Sequence, residues 1–122
     1  MSANCNITNT FLNSSQFSFT PNANSSLSSG NWVISPQPIP AGGSVVAFQA
    51  IGVAGTATGA VGQAGYNVFQ NGTQVGMVTL TFSDPYSGNN GASVGSNNVP
   101  GLSIAVSCPE HGSTITAEWS AS

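Results

Sequence analysis

The chain contains no lysine and no arginine. Its charged side chains are three acids, Asp84, Glu110 and Glu118, with one histidine, His111, beside them. Charged residues make up 2% of the sequence, where an ordinary domain carries about 25%. Without cations the protein has nothing to grip a nucleic-acid backbone, which takes several Lys or Arg contacts. It also has no polybasic patch to draw it to anionic lipid. No run approaches the roughly 20 consecutive apolar residues of a membrane-spanning helix, and no window has helical period. The start, Met1-Ser2-Ala3-Asn4, has neither a basic region nor an apolar region, so no signal peptide is visible in it.

What is present is Asn, Ser, Thr, Gln and Gly, with 39% apolar residues to build a core. A surface of uncharged polar groups has almost no field of its own. Two readings of it compete: a secreted low-charge protein of an acidic niche, or one that packs against copies of itself. The 122 residues suit one domain spanning 1–122.

The clearest local signal is Asn71-Gly72 between Tyr66–Gln70 and Thr73–Ser83. Both central residues of a type I′ turn need positive φ, and Asn-Gly supplies them. A two-residue turn pairs Val68 with Val75 and Tyr66 with Met77 on one face. Val78, Leu80 and Phe82 then fall on the other, unless Gly76 marks a bulge that switches faces or the loop is longer. Asp84-Pro85 ends the strand, because proline cannot donate to the ladder.

Period-two alternation also predicts strands over Ala3–Phe11, Gln16–Thr20, Asn31–Ser35 and Ser44–Ile51. A looser strand follows at Gly55–Val61. The proline-dense Ser35–Gly43 reads as an extended edge connection, and 84–100 as a loop region. Leu102–Cys108 and Ser113–Ser120 alternate around the turn Pro109–Gly112 and predict a C-terminal hairpin. The sum is an all-β, antiparallel sandwich of about eight or nine short strands.

The order of a Gly/Ala/Thr-rich strand, a Gly-Tyr strand, a long Val/Thr/Leu/Phe strand and then Asp84-Pro85-Tyr86-Ser87-Gly88-Asn89 resembles the aegerolysins over roughly residues 31–95. That resemblance implies a small acidic β-sandwich, no enzymatic activity, and membrane-lipid binding that recruits a pore-forming partner. Tyr86, Trp32 and Trp119 are the aromatics to expect at a lipid or partner contact. The chain departs from that family in having no basic residues. Its composition, free of Lys and Arg with two cysteines, is also similar to the octin-type proteins, which form the vacuolar crystals by which certain zygomycete fungi sense gravity. That likeness implies a structural protein of a vacuolar or other acidic, oxidising compartment.

Chemistry-bearing residues are few. Glu110 and His111 are adjacent in a turn, and a hydrolytic site needs a nucleophile, base and acid converging in a pocket; an exposed turn pair is the expectation. Cys108 and His111 have a spacing that can ligate zinc, with Cys5 a third donor, but a closed site needs four. A lone Asp84 is a poor calcium site. No catalytic residue, metal or cofactor is expected. Cys5 and Cys108 lie on apolar faces near the two chain ends. They are candidates for free core thiols, for links between molecules, or for one internal disulfide enclosing about 100 residues and contributing roughly 4–5 kcal/mol. Asn6, Asn13, Asn24 and Asn71 open glycosylation sequons, which matter only on a eukaryotic secretory route.

Overall fold

The computed structural model describes residues 5–122. Among these residues ten strands run in chain order: β1 (Asn6–Asn13), β2 (Ser18–Pro21), β3 (Ser26–Ser29), β4 (Asn31–Ile34), β5 (Ser44–Ile51), β6 (Ala60–Gln70), β7 (Thr73–Asp84), β8 (Gly91–Asn97), β9 (Ile104–Ser107) and β10 (Thr114–Ala121). They form two sheets of five, β4-β5-β1-β10-β9 and β2-β6-β7-β8, with β3 also paired to β6. The all-β sandwich expected from alternation is the fold observed.

The two faces follow from period two. Along β10, Ile115, Ala117, Trp119 and Ala121 are buried while Thr114, Thr116, Glu118 and Ser120 are exposed. Along β1, Ile7 and Phe11 face inward, and so do Asn9 and Asn13. Each buried Asn is held. Trp119 Nε1–H donates to Asn9 Oδ1 at 2.9 Å, and Asn13 Nδ2 donates to the carbonyls of Phe17 and Pro40. The core between the sheets is aromatic: Phe48 packs on Phe82 at 5.4 Å, and Phe11 on Phe19 at 5.3 Å between ring centres. Each such side chain contributes about 1.5–3 kcal/mol by leaving water.

The Asn71-Gly72 turn is as expected, with φ of 53° and 79°. The pairing beyond it is shifted. Gln70 opposes Thr73 and Phe69 opposes Gln74, but Val68 opposes Gly76 and Tyr66 opposes Val78. Val75 is thus the extra residue of a bulge. The bulge brings Tyr66, Val68, Val78, Leu80 and Phe82 onto one buried face, and the expected Val68–Val75 and Tyr66–Met77 pairs do not form. Gly76 is bare because Asn98 crosses it: a Cβ there would lie 2.8 Å from Val99 Cγ2 and closer still to Asn98 Oδ1.

Other expectations are corrected. The start of the first strand at Ala3 falls outside the described residues. No separate strand spans Gly55–Val61; residues 54–57 turn, and Ala60 opens the long β6. The region 84–100 contains β8, hidden in the sequence by its Gly, Ser and Asn. β9 and β10 do not make a simple hairpin. β9 pairs with the second half of β10 only, and β10 runs parallel to β1 along all eight residues.

Candidate functional site

At one end of the sandwich, the end of β7, the chain entering β1 and the Pro109–Ser113 turn come together around Asp84. Alternation places it there: Val78, Leu80, Phe82 and Asp84 share the inward face. Asp84 opposes Ala60 at the last rung of the β6–β7 ladder and has no exposed surface. Its Oδ2 accepts the Asn6 backbone N–H at 2.9 Å, the same N–H that donates to the Ser113 carbonyl at 2.7 Å. Its Oδ1 is buried without a hydrogen-bond partner.

Burial of a carboxylate with one hydrogen bond disfavours its charged form. Desolvation accordingly pushes the Asp84 carboxyl up to about 6, and the Asn6 N–H pulls the other way. Cys5 and Cys108 feel the same charge. Both thiols are raised, first by burial and second by the Asp84 carboxylate. A thiol so raised stays protonated at neutral pH and is a poor nucleophile.

A cleft of about 470 Å³ opens beside this cluster, lined by Cys5, Tyr86, Ser87, Asn90, Gly112 and Ser113 among others. Asn90 clips its two walls together: its backbone N–H donates to the Glu110 carbonyl at 2.8 Å, and its Nδ2 to the Gly112 carbonyl at 2.9 Å. Tyr86 stands on the rim, 51% exposed.

The remaining candidates separate. Trp119, expected at a lipid or partner contact, is 2% exposed and belongs to the core. Trp32 is half-buried, 5.8 Å from Phe82 and 6.2 Å from Phe48. Of the three aromatics, Tyr86 alone presents its ring outward. Glu110 and His111 are both exposed. Among the described residues no group of three His, Cys, Asp or Glu side chains gathers to hold a metal ion.

The internal disulfide does not form; both cysteines are free. β10 lies between β1 and β9, so Cys5 and Cys108 leave strands two ladder spacings apart, about 9–10 Å. A disulfide needs Cα atoms within about 7 Å. Of the sequon asparagines, Asn13 is buried with its amide bonded, whereas Asn24 and Asn71 are exposed. From the sequence alone Asp84 reads as a strand terminator and a weak calcium donor. The signal for its burial was present, since Asp84 continues the alternation of Val78, Leu80 and Phe82.

The fold is similar to that of RahU. That protein, solved in complex with a Tris molecule, superposes with a TM-score of 0.71 at 16% identity, covering 98% of this chain and 96% of its own. IP-1A from Alcaligenes faecalis superposes with a TM-score of 0.63 at 14% identity, covering 98% and 92%. Both are consistent with an aegerolysin-like sandwich, and at such identities the likeness is one of fold. No protein-family model and no curated protein matches the chain.

Proposed function

We propose that this protein is a structural building block that assembles with copies of itself into a dense, ordered body, and that it is not an enzyme. The observation that carries this reading is the surface. Asp84 is buried, which leaves Glu110 and Glu118 as the exposed carboxylates, with no lysine or arginine anywhere in the chain, over 5741 Å² of accessible area. The sheet faces are hydroxyl-rich. Thr8, Thr10, Thr114 and Thr116 line one; on the other, Thr81 bonds Ser93 and Ser96 bonds Thr79. Leu12 and Val46 add exposed apolar area beside the threonines. Such faces can meet through direct and water-bridged hydrogen bonds with little charge to repel or to desolvate.

In its finer form the body is crystalline and sits in an acidic, oxidising compartment such as a vacuole, or is secreted, in the manner of the octin-type gravity-sensing crystals. Composition is the support for that form. Light scattering and sedimentation test the reading. Association should peak between about pH 4 and 6, where the sequence pI of 4.1 brings net charge toward zero, and it should respond little to moderate salt. Solubility that stays flat from about pH 4 to 9 would sink it.

A second reading is an aegerolysin-like module that binds membrane lipid and serves a pore-forming system. The exposed Tyr86 on the cleft rim favours it, since such rings settle at the headgroup level. Co-sedimentation with liposomes at low salt separates the two.

A further inference from the structure

We infer that Asn71, at the tip of the β6–β7 hairpin, is a site of spontaneous amide-to-acid conversion, and that the fold shields the other Asn-Gly pair, Asn90-Gly91, from the same reaction. The chain contains these two Asn-Gly dipeptides and no other. In such a pair the backbone nitrogen of the glycine can reach the asparagine side-chain carbonyl, because no Cβ stands in the way.

The reaction needs no enzyme or oxidant. The Gly72 nitrogen gives its proton to solvent base and attacks Cγ of Asn71. A C–N bond forms, the Cγ–Nδ2 bond breaks, and the amide nitrogen leaves as ammonia after taking a proton. Water then opens the five-membered imide at either carbonyl, giving aspartate or isoaspartate.

The two sites differ in what holds the asparagine. Asn71 is exposed. A Cβ built on Gly72 meets nothing within 4 Å, so attacking nitrogen and entering water have open space. Gly91 is equally open, but Asn90 is 8% exposed. Its Nδ2 is held by the Gly112 carbonyl and its backbone N–H by the Glu110 carbonyl. Rotation of its side chain toward Gly91 would break the clip that closes the cleft.

Conversion at Asn71 has two consequences. It takes the formal charge from −3 to −4 on a surface with no cation to neutralise it. The isoaspartyl product also lengthens the backbone by one carbon inside a two-residue turn whose register is fixed by Gln70 opposite Thr73. The hairpin tip should then open as far as the bulge at Val75. Because the attack needs a deprotonated backbone nitrogen, acid slows it and mild alkali speeds it.

The test is incubation of the native protein at mildly alkaline pH, followed by peptide mapping with mass spectrometry. The same chain held in urea and an Asn71→Asp variant are the controls. The variant keeps a turn-compatible residue and marks the position of the acidic product on a native gel. The expected result is acid at position 71 accumulating at least tenfold faster than at 90 in the native state, with the two rates converging in urea. Equal rates at both sites in the native protein would overturn the shielding of Asn90. An Asn71 that stays an amide while the urea-treated chain converts would overturn the exposed site, because the turn itself would then be protective.

Discussion

Raising the pH should weaken this fold, and Asp84 sets the size of the effect. Its carboxyl is pushed up to about 6 in the folded protein, whereas in the unfolded chain it titrates near 3.9. Between those values the folded state binds more protons than the unfolded one, so stability falls as pH rises. The contribution is fully present below about pH 4 and is lost as pH passes through about 6. Two pKa units correspond to about 3 kcal/mol at most. About 2 kcal/mol of it is lost between about pH 4.5 and 7.5, which for a chain of this size is a drop in melting temperature of roughly 4–8 °C.

Cys5 and Cys108 are the other titratable groups facing Asp84. Their raised thiols remain protonated across this window, so the slope belongs to the carboxyl. Asp84→Asn isolates it. The Asn side-chain oxygen can still accept the Asn6 N–H, while its amide occupies the place of Oδ1, where no partner waits, at a cost of about 1 kcal/mol. The variant should be about 1–2 kcal/mol more stable than the parent near pH 7.5, lose that advantage near pH 4.5, and show a flattened pH profile. Calorimetric melts of both proteins across this range decide the matter. A parent melting temperature that is flat or rising from about pH 4.5 to 7.5 would refute the reasoning.

Three further outcomes are expected. Trp119→Phe removes the donor to Asn9, whose Nδ2 is already unpartnered; it should cost about 2–4 kcal/mol in a urea titration, and a loss within 0.5 kcal/mol, the ordinary surface range, would contradict the buried bond. Cys108 is half-buried and Cys5 almost wholly buried, so intact-mass spectra during alkylation should show one adduct well before the second. Any covalent link between copies should likewise vanish from a non-reducing gel in Cys108→Ser and persist in Cys5→Ser. Tyr86→Ala should change stability by less than about 0.5 kcal/mol and leave self-association intact; if it abolishes assembly while liposome binding is absent in both proteins, the cleft rim is an assembly contact.

Much of this architecture was legible because period two is a local property. Ile115, Ala117 and Trp119 could be assigned to a buried face without knowing what lay opposite. Asn71-Gly72 carried its turn geometry in two residues. What stayed hidden depended on distant partners. β8 has the composition of a loop and is a strand only because β7 offers it a ladder, from Ser83 opposite Gly91 to Val78 opposite Asn97. Asn9 and Asn13 look like surface residues until the Trp119 indole and the Phe17 and Pro40 carbonyls reach them. The bulge at Val75 was one of the options open at Gly76; Asn98 settles it by lying over that glycine. At the candidate site, Tyr86 was found because it is an isolated loop aromatic. The Asp84 cluster was missed because its members come from opposite ends of the chain.

The parallel pairing of β1 with β10 bears on the order in which the molecule can be made. β1 leaves the ribosome before the other nine described strands, and β5 can cover one of its edges early. Its other edge waits for Thr114–Ala121, the last of the ten described strands to be made. Until then Ile7 and Phe11 lack Ile115 and Trp119 beside them, and a half-built sheet presents bare backbone to any neighbouring nascent chain. Non-local closure of this kind is slow. A protein made in quantity at one place would therefore meet its own copies as open-edged intermediates before it meets them as finished sandwiches.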